Sequence, residues 1–275
     1  MKISVKKLCT KADMTRQNFY KSREARQRKT VDEHFIKTLV EAERRVQPRL
    51  GGLKLHTLLR PDLVAAGVSI GRDRFFEALR NQGLLLEPLP KAPRTTNSRH
   101  NLPVFMNLIK DLEVTRPNQV WVSDITYIRT SETFLYLNLI TDKYSRKIVG
   151  YYLGRTLEAS DTLKALDMAL KDLPEGVQPI HHSDRGSQYC SHTYVKRLQS
   201  YGLSISMTEE NHCAENALAE RMNGILKQEY YLKGAFRSES QARKAVDEAI
   251  NLYNTRRPHR SLNLCTPEQV HRTAA

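Results

Sequence analysis

The order of the apolar patterns after residue 118 constrains the fold more than any other feature of this sequence. Three successive runs, at residues 119–128, 134–140 and 147–153, have the composition and the alternation expected of half-buried β-strands. Only short turns separate these runs, and short connections favour antiparallel neighbours. This part of the chain therefore predicts an antiparallel meander of three strands.

The chain then alternates between helical and strand patterns. The predicted elements are a helix at 159–173, a strand at 177–183, a helix at 191–201, a strand at 203–207 and a helix that carries Glu220. Strands joined through helices favour parallel pairing in the same sheet. Three antiparallel strands plus two parallel strands, flanked by helices, form the α/β arrangement that a ribonuclease-H-like fold requires.

The charge of the chain is concentrated at its front. The formal net charge is +14, and residues 1–100 hold 22 Lys and Arg against 10 Asp and Glu, whereas the remaining residues hold 22 against 20. Such an excess favours a polyanionic partner, with a merely soluble basic surface as the alternative. The sequence has no apolar run of membrane-spanning length and no signal sequence, so we expect a cytosolic protein that does not bind membranes. The four cysteines lie far apart and predict neither a disulfide framework nor a zinc site.

The front of the chain predicts a helix-turn-helix. Short helices at 53–59 and 61–66, a turn at Gly67, and a helix capped by Ser69 that stops at Gly83 follow one another. Because the first turn of the last helix in such motifs meets DNA bases, we expect DNA contacts from Arg72 and Arg74, together with Lys54 of the first helix. A three-helix packing unit with solvated arginines remains the alternative.

The patterns divide the chain into five predicted segments. These are a basic helical region at 1–50, with a helical segment at 4–22 and an amphipathic helix at 31–45; a helix-turn-helix at 51–86; a linker at 87–117 with a short helical piece at 105–112; the core at 118–235; and a helical extension at 236–275. In the extension, Ala242, Val246, Ala249, Ile250 and Tyr253 form an apolar helical stripe, and Thr266 caps a final short helix.

Three acidic residues are candidates for a metal site. Asp124 lies within the first strand, where a buried carboxylate is costly unless it binds a cation or a donor. Asp184 ends the fourth strand, and 35 residues separate it from Glu220. Carboxylates brought together in this way bind hard cations such as Mg²⁺ or Mn²⁺. Taken alone, Glu220 fits a solvated helix face better than a metal site, since it shares a polar stripe with Asn216, Asn223 and Lys227.

Other polar residues near these acids offer weaker alternatives. Asp142 follows the second strand and could replace one of the acids. His181 and His182 face opposite sides of a strand, so at most one of them could join a metal site. Ser183 and Ser187 lack the partners that nucleophilic catalysis needs.

Four ordered segments resemble a known family. They read WVSDITYI (121–128), HSDRGSQY (182–189), ENALAERMNGILKQE (215–229) and YNTRRPHRSLNLCTPEQV (253–270). In this order the segments resemble the integrase core of DDE transposases, in particular the second-frame product of the insertion-sequence-three family, which is related to retroviral integrases. The resemblance maps the family's acids onto Asp124, Asp184 and Glu220, and its basic residue onto Lys227. Glu215 stands where many relatives have Asp, a change outside the triad.

The resemblance implies a DNA transposase that uses two Mg²⁺ or Mn²⁺ ions for end cleavage and for strand transfer by a 3′ hydroxyl. Its partners would be double-stranded DNA, as terminal inverted repeats and target, a second copy of the chain, and the upstream-frame product of the same element. We expect Lys227, Asn216 and Asn223 to line the phosphate site, while DNA contact and local structure are both open for Arg257 and His259. The alternatives are a repressor or assembly subunit without catalysis and a structure-selective nuclease.

Overall fold

The computed structural model describes residues 4–87, 102–209 and 216–273. The chain divides into two units, residues 1–87 and 88–275, which are described separately. Among the described residues, no helix combines the length and the apolarity needed to cross a membrane.

The first unit is helical and is built around one apolar core. Its helices are α1 (Val5–Lys11), α2 (Arg16–Val46), α3 (Gly52–Ala65) and α4 (Arg72–Asn81). Ile36 and Val40 of α2 pack in the same cluster as Leu59 of α3 and Phe75 of α4. The basic helical region and the helix-turn-helix, predicted as separate segments that meet at residue 50, therefore share a core.

The boundaries of these helices differ from the predicted ones in three places. Helix α2 is continuous from its cap at Thr15, whose Oγ1 accepts the Asn18 N–H at 3.1 Å, and so includes the whole amphipathic helix predicted at 31–45. Helix α3 runs through Pro61, where a break was predicted, because its buried leucines continue on one face beyond the proline. Helix α4 begins after Gly71 without a side-chain cap, so the predicted cap at Ser69 is wrong.

The second unit contains a mixed β-sheet. Its strands are β1 (Val120–Thr130), β2 (Phe134–Asp142), β3 (Ile148–Gly154), β4 (Ile180–Ser183), β5 (Ser204–Met207) and β6 (Ala235–Phe236). The strand order is β3-β2-β1-β4-β5, with β1, β2 and β3 antiparallel and with β4 and β5 parallel to β1. This confirms the predicted ribonuclease-H-like arrangement. The short strand β6, which pairs in parallel with the far end of β1, was not predicted.

Helices cover both faces of this sheet. They are α5 (Ala159–Lys171), α6 (His192–Ser200), α7 (Ala217–Glu229), α8 (Glu239–Thr255) and α9 (Pro267–Thr273). Trp121 of β1 packs with α5 and α6, whereas Ile128 of the same strand packs with α7 and α8. The five residues of the predicted apolar stripe on α8 are all buried in the cluster that contains Ile128. The predicted C-terminal extension is therefore part of the core.

Residues 102–117 also belong to this unit and contain no helix, although a short one was predicted at 105–112. Ile109 is buried against Val120 of β1 and Ala219 of α7. The segment therefore packs along the core in an irregular conformation. The remainder of the predicted linker, residues 88–101, lies outside the described part of the chain.

Asp142 organises the turn after β2. Its buried carboxylate accepts hydrogen bonds from the Asn118 N–H and from both the N–H and the hydroxyl of Ser145, all at 2.7 Å. The Ser145 hydroxyl also lies 2.9 Å from Nδ1 of His271 on α9. These contacts occupy the carboxylate of Asp142, so it is a structural group and does not substitute for an acid of the candidate metal site.

We predict that Asp142→Ala lowers the free energy of unfolding of the second unit by about 3 kcal/mol or more, because it leaves several buried donors without an acceptor. The measurement is urea unfolding followed by the fluorescence of Trp121, the single tryptophan of the chain. The control is Asp172→Ala, which removes an exposed carboxylate and should change the stability by less than about 0.5 kcal/mol. Equal stabilities of the two variants would contradict the proposed role of Asp142.

Candidate active site

Parallel pairing of β1 with β4 brings two of the candidate acids together. Val120 pairs with Ile180 and Val122 with His182, so each β1 residue lies beside the β4 residue whose number is higher by 60. Extended by two residues, this register puts Asp184, just past the end of β4, beside Asp124, and the charge of Asp184 does act on Asp124. Among the described residues, β4 stops at Ser183 and β6 pairs only with Arg129 and Thr130, so no strand lies beside β1 at Asp124 on this edge; Asp124 and Asp184 are both half-buried residues.

Helix α7 places the third acid over the same strand. Ala219 packs against the start of β1, and Met222 packs in the cluster that contains Ile128 near its end. The helix therefore crosses β1 above Asp124. Glu220 lies in the first turn of α7, where its side chain is exposed.

Only some residues of the polar stripe of α7 are exposed to solvent, and its two asparagines are buried. Asn223 Nδ2 donates a hydrogen bond of 2.7 Å to Oδ2 of Asp124, and its side chain is buried. Asn216 Nδ2 donates to the backbone carbonyl of Ser123 at 3.2 Å and is buried as well. The two asparagines predicted as DNA contacts thus hold α7 against β1, and Asn223 orients a catalytic candidate directly.

The acids are electrostatically coupled. Burial, followed by the negative charge of Asp184, raises the pKa of Asp124 to about 7, and Glu220 adds a smaller effect in the same direction. Hydrogen bonds from the Ile125 N–H and from Asn223 oppose this rise. Beneath the site, burial and the charges of Asp124 and Asp184 raise the pKa of Tyr189 well above its usual value. Carboxylates grouped in this way favour a bound cation.

The donor set fits a hard divalent cation. Three carboxylates and no thiolate are the oxygen-rich composition that Mg²⁺ and Mn²⁺ prefer. Within the part of the chain that the structure describes, no three acidic, imidazole or thiol groups converge closely enough to form a complete ligand set. The charge of Asp184 acts on Asp124 more strongly than that of the exposed Glu220, whose charge still contributes to the raised pKa of Asp124.

Lys227 adds a cation next to these acids. Its Nζ lies 3.9 Å from the ring centroid of Tyr127, a cation–π contact. Burial lowers the pKa of Lys227, and the charge of Asp124 opposes that shift. Tyr127 is 45% exposed and meets Phe134 edge to face. Sequence patterns did not single out Tyr127, since an exposed aromatic residue on a strand carries no signal of its own.

The two histidines of β4 do not join the site. His181 Nε2 lies 2.9 Å from the hydroxyl of Tyr194, and burial lowers the pKa of His181 to about 3. His182 Nδ1 lies 2.8 Å from the hydroxyl of Ser206. Both rings are buried and hydrogen-bonded within the sheet layers. They act as polar core residues, so the metal-ligand alternative for them is wrong.

Two predicted DNA contacts near the C-terminus have structural roles. Arg257 is buried and donates two hydrogen bonds, of 2.7 and 2.8 Å, to the carboxylate of Glu229 at the end of α7. His259 Nδ1 lies 3.0 Å from the hydroxyl of Ser261, and its backbone N–H donates to the carbonyl of Cys265. Arg257 is therefore unavailable to DNA in this structure, and His259 shapes a local turn.

The three basic residues predicted to contact DNA from the first unit differ in accessibility. Arg72 and Arg74 are exposed in the first turn of α4, and Arg72 forms a 2.8 Å ion pair with its neighbour Asp73. Lys54 is partly buried in the first turn of α3 and has interactions of its own. The exposed first turn of α4 is the accessible part of this predicted surface.

Comparison with known proteins identifies the second unit and the relatives of the whole chain. Two family profiles, both described as "Integrase core domain", match residues 114–213 and 201–267. The "Insertion element IS600 uncharacterized 31 kDa protein" of Shigella sonnei is 36% identical over 98% of this chain and 100% of its own length. "Transposase InsF for insertion sequence IS3A" of Escherichia coli strain K12 is 32% identical over 97% of this chain and 93% of its own length.

A solved structure shares the fold. It is the cryoEM structure of the simian T-cell lymphotropic virus intasome in complex with PP2A regulatory subunit B56 gamma, matched with a TM-score of 0.50 over 79% of this chain and 73% of that one. At 20% sequence identity this likeness concerns the fold alone. The transposase relative covers nearly the whole chain, and the integrase core profiles cover the residues that carry the three acids. The chain therefore belongs to the IS3 family of insertion-sequence transposases.

Proposed function

We propose that this transposase cleaves the ends of its element and transfers them to target DNA with Asp124, Asp184 and Glu220 as the catalytic acids. The observation that carries the proposal is the register of β1 and β4, which makes Asp124 and Asp184 neighbours at an open sheet edge beneath the helix of Glu220. In the first reaction, water attacks a phosphodiester and the phosphorus–oxygen bond to a 3′ oxygen breaks, so a 3′ hydroxyl is freed. In the second, that hydroxyl attacks a target phosphodiester and displaces another 3′ oxygen.

Asp124, Asp184 and Glu220 would hold two Mg²⁺ or Mn²⁺ ions. Bound divalent ions supply activation of the attacking oxygen and neutralisation of charge at the phosphorus and the leaving oxygen. The residues around them prepare the carboxylates for this role. Asn223 fixes one oxygen of Asp124 and the Ile125 N–H fixes the other, which limits the rotation of the carboxylate.

Lys227 is the residue proposed to bind a DNA phosphate next to the acids. It lies on α7 two turns after Glu220, and its contact with Tyr127 holds it beside Asp124. A single flexible ammonium suits a phosphate contact whose position differs between the two reactions. The ring of Tyr127 would keep Lys227 near the site before DNA arrives.

The first unit is proposed to recognise the terminal inverted repeats, with Arg72 and Arg74 at the base edges. Its basic composition provides the attraction for phosphates, and the exposed first turn of α4 provides the side chains. Joining two ends requires at least two copies of the chain on DNA. We also propose that the chain acts together with the upstream-frame product of its element, to which a frameshift would join it. Its location would be the bacterial cytoplasm, near the nucleoid.

We predict that Glu220→Gln reduces cleavage and joining of terminal-repeat DNA by about 10²-fold or more, because loss of a metal ligand removes several kcal/mol of transition-state stabilisation. The assay uses linear DNA with the terminal repeats, in the presence of Mg²⁺ or Mn²⁺, and measures nicked and joined products. DNA binding should stay unchanged, since Glu220 is exposed and the substitution keeps the size of its side chain.

The matched control for this experiment is Glu248→Gln. Glu248 is an exposed glutamate on α8, outside the candidate site. Its replacement should leave the rate within about twofold of the wild type. Equal activity of Glu220→Gln and the wild type would show that the catalytic assignment is wrong and would favour a DNA-binding subunit without chemistry.

We also predict that combining Arg72→Ala with Arg74→Ala weakens binding to the terminal repeat by at least about tenfold, because each base contact contributes about 1–3 kcal/mol. Titrations at several salt concentrations should give a shallower dependence of log Kd on log salt. Arg80→Ala, at the other end of α4, removes the same type of exposed charge and is the control. If the double variant and the control bind alike, α4 is not the recognition helix.

A further inference from the structure

Three residues at and just after the C-terminal end of α8 contact separate parts of the second unit. They are Tyr253, Asn254 and Arg257, and together they are called the C-terminal clamp. The Tyr253 hydroxyl donates to the carbonyl of Arg146 in the turn between β2 and β3, at 2.9 Å, and lies 3.4 Å from the Met222 sulfur of α7. One side chain thus connects the sheet to the helix of Glu220.

Asn254 fixes the clamp to the edge of the sheet. Its Oδ1 accepts the Ile148 N–H and its Nδ2 donates to the Ile148 carbonyl, both at 3.0 Å. The amide therefore pairs with β3 in the way that a neighbouring strand would. Two hydrogen bonds to one residue define both the position and the direction of the end of α8.

Arg257 connects this anchor to the end of α7. Its guanidinium is buried, forms a two-pronged ion pair with Glu229, and lies 5.6 Å from the ring centroid of Tyr253. A fork of this kind accepts a carboxylate in one orientation only. Glu229 follows Lys227 by two residues and Glu220 by nine, about 13.5 Å along the helix axis. A fixed Glu229 therefore sets both the rotation and the axial position of the two functional side chains.

We propose that the C-terminal clamp positions α7 so that Glu220 and Lys227 stay in register with Asp124 and Asp184, and that Arg257 and Glu229 are positioning residues for phosphoryl transfer. This inference rests on the proposed function of those acids. A buried ion pair adds little net stability compared with apolar packing of the same size, but it disfavours other arrangements. Such a pair at the end of the catalytic helix suits a role in alignment.

The test is the double variant Arg257→Met with Glu229→Met, which removes both charges and leaves neither buried alone. We expect it to fold, to bind terminal-repeat DNA as the wild type does, and to cleave about 10- to 100-fold more slowly in single turnover, because small displacements of catalytic groups have effects of this size. The Mn²⁺ concentration that half-saturates the metal-induced rise in Tm, measured without DNA, should increase by about tenfold.

The matched control is Arg243→Met with Glu239→Met. These residues form an Arg–Glu pair of 2.7 Å on α8, and both side chains are partly exposed; Glu239 also pairs with Arg155. The control should keep the wild-type cleavage rate and Mn²⁺ midpoint. A loss of activity confined to the clamp variant separates alignment of α7 from a general effect of removing an ion pair.

A folded clamp variant with a rate and a Mn²⁺ midpoint within about twofold of the wild type would overturn the proposal. If the double variant does not fold, Arg257→Lys decides by the same criteria, since it keeps the charge and loses the fork. If wild-type protein binds Mn²⁺ but cleaves no terminal-repeat DNA, the proposed function fails. The Mn²⁺ midpoint then still tells whether the clamp aligns the acids.

Discussion

The pairing of β1 with β4 is the interaction on which the candidate site depends. Two acids that are 60 residues apart in sequence become neighbours because β4 adds in parallel to the edge of the antiparallel meander and stops just before Asp184. Between β4 and β6 the edge of β1 is open among the described residues, so Asp124 combines a place in the sheet with partial access to solvent. Burial first and the charge of Asp184 second raise the pKa of Asp124, and a divalent cation at this edge would favour the charged carboxylates.

The second requirement is the placement of α7, whose two ends are held by different means. Near the acids, Asn216 and Asn223 donate to Ser123 and Asp124 of β1. At the far end, Glu229 is held by the buried Arg257. Apolar packing alone allows a helix to shift along a sheet, whereas directional hydrogen bonds at both ends define one position. These polar contacts therefore determine where Glu220 and Lys227 lie relative to Asp124.

The order of strands and helices, and the three candidate acids, could be predicted from the sequence. The two-residue alternation of a strand and the succession of strands and helices are both visible in short stretches of sequence. The partners of polar side chains could not. Asn223 shares a helix face with Glu220, and only the crossing of α7 over β1 turns it towards Asp124. Arg257 stands in a basic turn that resembles a DNA contact, yet its partner Glu229 is 28 residues away. Pro61 failed as a helix breaker because buried leucines on both sides favour a continuous α3.

The central claim is that Asp124, Asp184 and Glu220 bind divalent ions at the open edge of β1. A crystal structure of the protein with terminal-repeat DNA and Mn²⁺, with anomalous scattering recorded for the metal, tests it directly. We expect anomalous peaks at the carboxylates of all three acids, next to the scissile phosphate. Mn²⁺ bound only elsewhere, with these carboxylates free of metal in a complex that still cleaves DNA, would contradict it.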